Sequence, residues 1–142
     1  MFSLDQRLCD DTISLGRFEL CRLLLMNDAN YPWFILVPQR EGVREVHELS
    51  AEDQNRLLRE SSALSASLST LFEADKMNIA ALGNIVPQLH LHHVVRYRTD
   101  IAWPAPVWGY RPAVAYSRER IDEIRRIVPP SLPDFSALPA GY

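Results

Sequence analysis

The sequence predicts an α+β domain in which about five antiparallel strands carry one long helix, followed by a shorter helix near the C-terminus. Three observations lead there. Two apolar runs within residues 12–26 are spaced as a hairpin and are followed by a third, Trp33-Phe34-Ile35-Leu36-Val37. A stretch beginning at Ser50 repeats leucine at helical spacing, and two more short apolar runs follow it, Met77 to Leu82 and Leu89 to Val95.

Taken in order, Thr12 to Met26 divides around Gly16-Arg17, which places a hairpin turn there. Asn27-Asp28-Ala29-Asn30-Tyr31-Pro32 is turn chemistry, because Asn, Asp and Pro favour local hydrogen bonds and a fixed φ over a ladder. Trp33 to Val37 reads as a buried strand that stops at Pro38. Ser50-Ala51-Glu52-Asp53 has the form of a capping box, with the Ser50 hydroxyl placed to accept from the Asp53 amide. From there Leu57, Ser61, Leu64, Leu68 and Leu71 form one stripe on a helix of about five turns. The two following runs, separated by Gly83-Asn84, are the strands against which that stripe packs. Past Arg96, Trp103-Pro104-Ala105-Pro106-Val107-Trp108-Gly109 interrupts regular pairing and is expected to wrap over the surface. Ser117 to Ile127 predicts the second helix, with Ile121, Ile124 and Val128 on one side, ended by Pro129-Pro130. Residues 1–110 are expected to form the main body of the domain, and 111–142, a helix and Pro-rich tail, to pack on it.

The 142 residues, 47% hydrophobic and 23% charged, suit a single domain with a core of its own, needing no disulfide or structural metal. The net charge of −3 comes with scattered basic residues. Duplex nucleic acid is therefore a poor partner, since affinity for it rests on neutralising many phosphates together. Cys9 and Cys21 form no C-x-x-C pair. Met1 to Asp5 carries neither a basic nor an apolar leader pattern, so a cytoplasmic location is expected. No apolar run approaches the ~20 residues of a membrane span, so no membrane partner is expected.

Three of the four histidines fall in Gln88-Leu89-His90-Leu91-His92-His93-Val94-Val95. On a strand, Gln88, His90, His92 and Val94 share one face, and Leu89, Leu91, His93 and Val95 the other. The second set is expected to lie against the long helix, leaving Gln88, His90 and His92 on an open face. Two imidazoles at i and i+2 can meet one substrate group, one neutral and one protonated. A neutral imidazole is a good nucleophile toward phosphorus, and a protonated one stabilises phosphate charge or supplies a proton. Phosphoryl or nucleotidyl transfer through a histidine intermediate suits this arrangement.

Pro87-Gln88-Leu89-His90-Leu91-His92-His93-Val94 resembles the signature of the histidine-triad (HIT) family, three histidines alternating with apolar residues, with Gln88 at the place of the first. Gly83-Asn84-Ile85-Val86 looks like the segment leading into that signature. Met26-Asn27-Asp28 with Trp33 to Pro38 resembles the family's ribose-contacting residue and its next strand. The match spans roughly residues 15–100. It implies a HIT-like fold, usually a homodimer, and a hydrolase or transferase acting without metal or cofactor at the α-phosphate of a purine nucleotide conjugate. The candidates are nucleoside phosphoramidates and dinucleoside polyphosphates. Carried over, His90 is the nucleophile, His92 contacts the phosphate and assists the leaving group, and the Gln88 carbonyl orients His90. Asn84 binds phosphate oxygens, Asn27 contacts ribose, and Trp33 and Trp108 are candidate base or leaving-group contacts.

Two departures stand out. Gln88 cannot carry a proton, and Trp33 stands where several relatives have another histidine, so an indole donation from Trp33 to Gln88 is the expected replacement. His93 is read as a satisfied or edge-exposed residue, His47 as part of a surface helical turn, and Trp103, and even Trp108, as surface packing. Two other functions compete. One is an AMP-sensing module that has lost catalysis. The other is a His-x-His metal site, which lacks a third ligand because His93 faces away and Asp28, His47 and Asp100 have no sequence relation to it.

Overall fold

A strand that is apolar at every position needs cover on both faces, and Trp33–Pro38, numbered β3, is buried at all six. The computed structural model describes residues 1–139, so the last three residues of the predicted tail lie outside it. Within them the chain forms α1 (Gln6–Asp11), β1 (Thr12–Arg17), β2 (Cys21–Met26), β3, a 3-10 turn at Val46–Glu48, α2 (Ala51–Leu71), β4 (Lys76–Ala80), β5 (Leu91–Arg96), α3 (Arg118–Ser131) and β6 (Ser136–Ala137). The strands make one antiparallel sheet in the order β4-β5-β3-β2-β1-β6. The predicted α+β class holds, with a two-residue sixth strand from the tail.

Side-chain alternation divides the core in two. Leu23, Leu25, Phe34, Leu36 and Val95 point to one face, where Leu57, Leu64 and Leu68 of α2 and Ile124 and Val128 of α3 cover them. The Ser50 hydroxyl accepts from the Asp53 amide at 3.1 Å, as the capping pattern predicts. The stripe stops one turn early, since Leu71 is exposed. Glu60 is buried on the same helix and accepts from the Leu20 and Cys21 amides at 3.0 and 2.8 Å. Those bonds satisfy a carboxylate that burial would otherwise make costly, and they pin the β1–β2 turn to the helix.

That turn lies at Phe18–Leu20 and not at Gly16-Arg17. Gly16 instead sits inside β1 at a bulge, at φ +144°, where a Cβ would stand 2.3 Å from the Ser136 carbonyl oxygen of β6. Only glycine permits that approach. A second correction concerns α3, which continues through Pro129 and Pro130 to Ser131. Both prolines fall in the last two turns, and burial of Val128 and Pro129 against the core offsets the missing backbone bonds.

The other face of the sheet is not open. Leu24, Trp33, Ile35, Val37 and Val94 are covered by Leu8 of α1, by Tyr31, and by Ala102 and Val107 from the proline-rich segment, with Phe2 and Leu4 partly buried beside them. That segment is pinned by Arg96, almost fully buried, which donates to Asp100 at 2.8 Å, to the Asn78 side chain at 2.7 Å and to the Ala105 carbonyl at 2.8 Å. Its guanidinium also lies 5.5 Å from the Trp103 ring.

His93 is fully buried under α2. Its Nδ1 lies 3.1 Å from the Leu91 carbonyl and its Nε2 2.7 Å from the Ser61 hydroxyl. A carbonyl only accepts, so the proton sits on Nδ1 and Ser61 donates to Nε2. Burial pushes the His93 pKa down to about 4. A depressed histidine pKa means that the unfolded chain binds the extra proton first. The stability His93 contributes is complete above pH 6.5 and is lost as pH falls toward 4, at about 1.4 kcal/mol per pH unit. Two outcomes are expected in urea unfolding. Ser61→Ala leaves the His93 Nε2 unsatisfied and costs about 1–3 kcal/mol at pH 7. His93→Gln flattens the fall in stability between pH 6.5 and 4 relative to the wild type.

Candidate active site

Strand parity sets His92 beside Val94 on the face opposite α2, and His90 follows it from the segment just before β5. That segment leaves the ladder: Pro87 has no N–H to give, and the Leu89 amide donates to the Val43 carbonyl at 3.0 Å, outside the sheet. The Gln88 carbonyl instead meets the His90 Nδ1 at 2.7 Å. The carbonyl can only accept, so Nδ1 carries the hydrogen and the His90 Nε2 lone pair is left for a ligand.

His92 is held in the opposite sense. Trp33 pairs with Val94 across β3 and β5, which places it diagonal to His92. Its indole Nε1–H donates to the His92 Nδ1 at 3.0 Å. An indole cannot accept, so the neutral His92 keeps its hydrogen on Nε2, which points toward the Leu82 carbonyl at 3.4 Å. Burial first, and then the nearby His90, push the His92 pKa down to about 4. In the free protein at pH 7, His92 is therefore a neutral hydrogen-bond donor and not an imidazolium. The two rings stand 4.7 Å apart, and Trp108 lies edge-on to both His92, at 5.2 Å, and Trp33, at 5.6 Å.

Both histidines are buried, yet His90 borders two cavities. One, of about 340 Å³, is mainly apolar and is lined by Leu8, Met26, Trp33, Ile85, Val86, Trp108, His90 and His92, with Arg7 and Asp11 also present. The other, of about 450 Å³, is polar, with Arg44, Glu45, Glu48, Asn84, Gln88 and His90 around it. Asn84, like His90, borders both. The arrangement offers a nucleophilic nitrogen and a neutral donor where an apolar compartment meets a polar one.

His90, His92, Asn84, Trp33 and Trp108 all line the apolar cavity, so Trp108, read as surface packing, lies beside the two histidines. Asn27 does not line it. Its side-chain oxygen accepts from the Tyr116 amide at 2.9 Å, and the residue borders neither cavity. Met26, one position earlier, takes the place at the wall. The expected indole bond to Gln88 is also absent, because Trp33 donates to His92. The Gln88 side chain turns outward, accepting from the Asp5 amide at 2.9 Å and donating to the Ser3 carbonyl at 2.8 Å. Sequence reasoning missed Arg7, Leu8 and Asp11, because α1 is six residues long with Leu8 its one buried position. Its one sequence signal was Asp5, whose carboxylate accepts from the Arg7 amide at 2.9 Å as a helix cap. Among the described residues no cluster of three or more His, Cys, Asp or Glu could hold a metal ion. No helix among them is long and apolar enough to cross a membrane.

An antiparallel sheet with two alternating histidines at a cavity junction defines a class of protein by fold and site together. The HIT domain family model matches residues 9–99. A histidine triad protein from Marinobacter aquaeolei VT8 shares 56% identity, with 93% of this chain and 96% of that chain covered at a TM-score of 0.91. One from Sinorhizobium meliloti 1021 shares 43% identity, over 93% and 98% of the two chains, at 0.91. One from Bradyrhizobium japonicum shares 40% identity, over 92% and 98%, also at 0.91. No curated protein matches the chain. The chain belongs to the HIT domain family.

The tautomer assignment is open to nitrogen NMR. At pH 7 the His92 Nδ1 is expected at the shift of an unprotonated nitrogen and its Nε2 at that of a protonated one, with no titration until the pH approaches 4. Trp33→Phe removes the indole donor and should leave His92 a mixture of both neutral tautomers.

Proposed function

We propose that the protein is a hydrolase or transferase that cleaves a purine nucleotide conjugate at its α-phosphate through a nucleotidyl–His90 intermediate. The observation that carries this reading is the 2.7 Å contact between the His90 Nδ1 and the Gln88 carbonyl. It fixes the tautomer whose Nε2 lone pair can attack phosphorus. The nucleobase end would occupy the apolar cavity against Trp108, Met26 and Val86, where flat apolar surface favours a ring. The leaving group would extend into the polar cavity, and the Asn84 amide, bordering both, would bind the phosphate oxygens.

In the first step the His90 Nε2 forms a bond to phosphorus while the bond to the leaving group breaks. The His92 Nε2–H gives a hydrogen bond to a phosphate or leaving oxygen or nitrogen, and the departing group takes its proton from solvent water. In the second step water attacks the phosphorus and releases a proton to solvent, which replaces the one taken in the first; the P–N bond breaks, returns the electron pair to His90, and the nucleoside monophosphate leaves. The sum consumes one water, and no metal or cofactor enters. A homodimer belongs to the same reading, with β4, an edge strand carrying the exposed Ile79, as the free sheet edge.

One observation favours a second reading, in which the protein senses AMP without turnover: neither the Gln88 side chain nor the neutral His92 brings an ionised acid to the free site. Adenosine 5′-phosphoramidate and diadenosine tetraphosphate, radiolabelled at the α-phosphate, separate the two. The proposed enzyme traps label on His90 in a reaction quenched with denaturant at alkaline pH, where a P–N bond to histidine survives, and His90→Ala loses the label and about 10³-fold or more in kcat. Label on another residue, or equal turnover by His90→Ala, overturns the mechanism. AMP binding with no turnover by the wild type selects the sensor.

A further inference from the structure

Apolar contact holds a segment to a surface without fixing its position along it, because such attraction has no direction. The segment before α1 touches the sheet through Phe2, Leu4 and Leu8. Its register is set elsewhere, by the Gln88 side chain. One amide accepts from the Asp5 N–H and donates to the Ser3 carbonyl, at 2.9 and 2.8 Å, as a neighbouring strand would. Two residues beyond this latch, α1 presents Arg7, Leu8 and Asp11 to the apolar cavity. The residue whose carbonyl orients His90 thus also holds one wall of the adjoining compartment.

We propose that Gln88 is a positioning residue whose side-chain amide latches Ser3–Asp5, so that α1 forms the nucleobase wall of the site and decides which base the site accepts. The inference rests on the nucleotide reading above, since a base must occupy the apolar cavity for the wall to read it. A loosened wall removes the contact of Leu8 with the ring and the polar edge offered by Arg7 and Asp11. The phosphate end, served by His90, His92 and Asn84 from the other side, keeps its contacts.

Asp5→Pro tests the latch without touching the reacting groups. Asp5 has φ −53°, which proline adopts, so the substitution deletes the N–H donor to Gln88 with little change of backbone. It also removes the carboxylate cap of α1, and Asp5→Ala supplies the control, losing the cap and keeping the N–H. Titration calorimetry with AMP and with ribose 5-phosphate reads the two ends of the ligand separately, and trypsin cleavage after Arg7 reads the segment directly. Asp5→Pro should weaken AMP by about tenfold relative to Asp5→Ala, speed cleavage after Arg7, and leave ribose 5-phosphate within about twofold. Gln88→Ala should weaken AMP to the same degree. Equal affinities in Asp5→Pro and Asp5→Ala, or equal losses for AMP and ribose 5-phosphate, overturn the proposal while leaving the nucleotide reading intact. A wild type that binds neither ligand sinks the nucleotide reading, and the base-reading wall with it.

Discussion

The site depends on a backbone carbonyl, that of Gln88, facing the Nδ1 of a histidine two residues later at 2.7 Å. A neutral imidazole has one hydrogen and one lone pair, and the group facing one nitrogen decides which is which. A main-chain acceptor makes this decision without reference to the identity of the side chain that carries it. The signature can therefore have glutamine where the resemblance sets a histidine, and the tautomer of His90 is unaffected. The freed side chain then takes up a contact with Ser3 and Asp5 that a histidine ring, with one donor and one acceptor in a fixed plane, would not span in the same way.

The neighbouring ring obeys the same rule with the sign reversed. An indole that can only donate faces the Nδ1 of His92, so its hydrogen resides on Nε2. Two neutral imidazoles held in this way, 4.7 Å apart, present complementary atoms, a lone pair and a donor. Charge on both would be unfavourable in so dry a place, and the lowered pKa of His92 reflects burial more than the presence of its neighbour. Trp108 and Trp33 supply the burial. The Arg96 network supplies Trp108, because it fastens the segment from Asp100 to Ala105 that leads to it.

Much of this was legible in the sequence because the signals are local and periodic. The Ser50 cap, the Leu57-Ser61-Leu64-Leu68 stripe and the alternation that sets His93 apart from His90 and His92 need only spacing to be seen. What was not legible depends on residues distant in the chain. The bulge at Gly16 exists because Ser136 passes within reach of its missing Cβ, and a glycine near the middle of two apolar runs reads as a turn until that strand is known. The partner of Trp33 follows from the β3–β5 register, which puts it diagonal to His92 and leaves Gln88 beyond its reach. Asn27 was read as a ligand contact because of its place in a motif, and the Tyr116 amide, far along the chain, occupies its oxygen. The open face failed for a related reason. Six residues with one apolar position carry no periodicity, so the helix that covers it was invisible.

That cover has a consequence for charge. Among the described residues bordering the apolar cavity, Arg7 is the one Lys or Arg, held loosely by Asp11 at 3.5 Å, and His92 is neutral. An α-phosphate placed against His90 and His92, as the proposed chemistry requires, brings negative charge into this poorly hydrated space. A second proton on His92 would lie on Nδ1, facing the Trp33 indole N–H 3.0 Å away, where two donors repel. The indole that sets the tautomer thus also opposes ionisation, and the ring meets the phosphate as a neutral donor through its Nε2–H. Recognition of the charge then falls to fixed dipoles, which count for more where screening is weak.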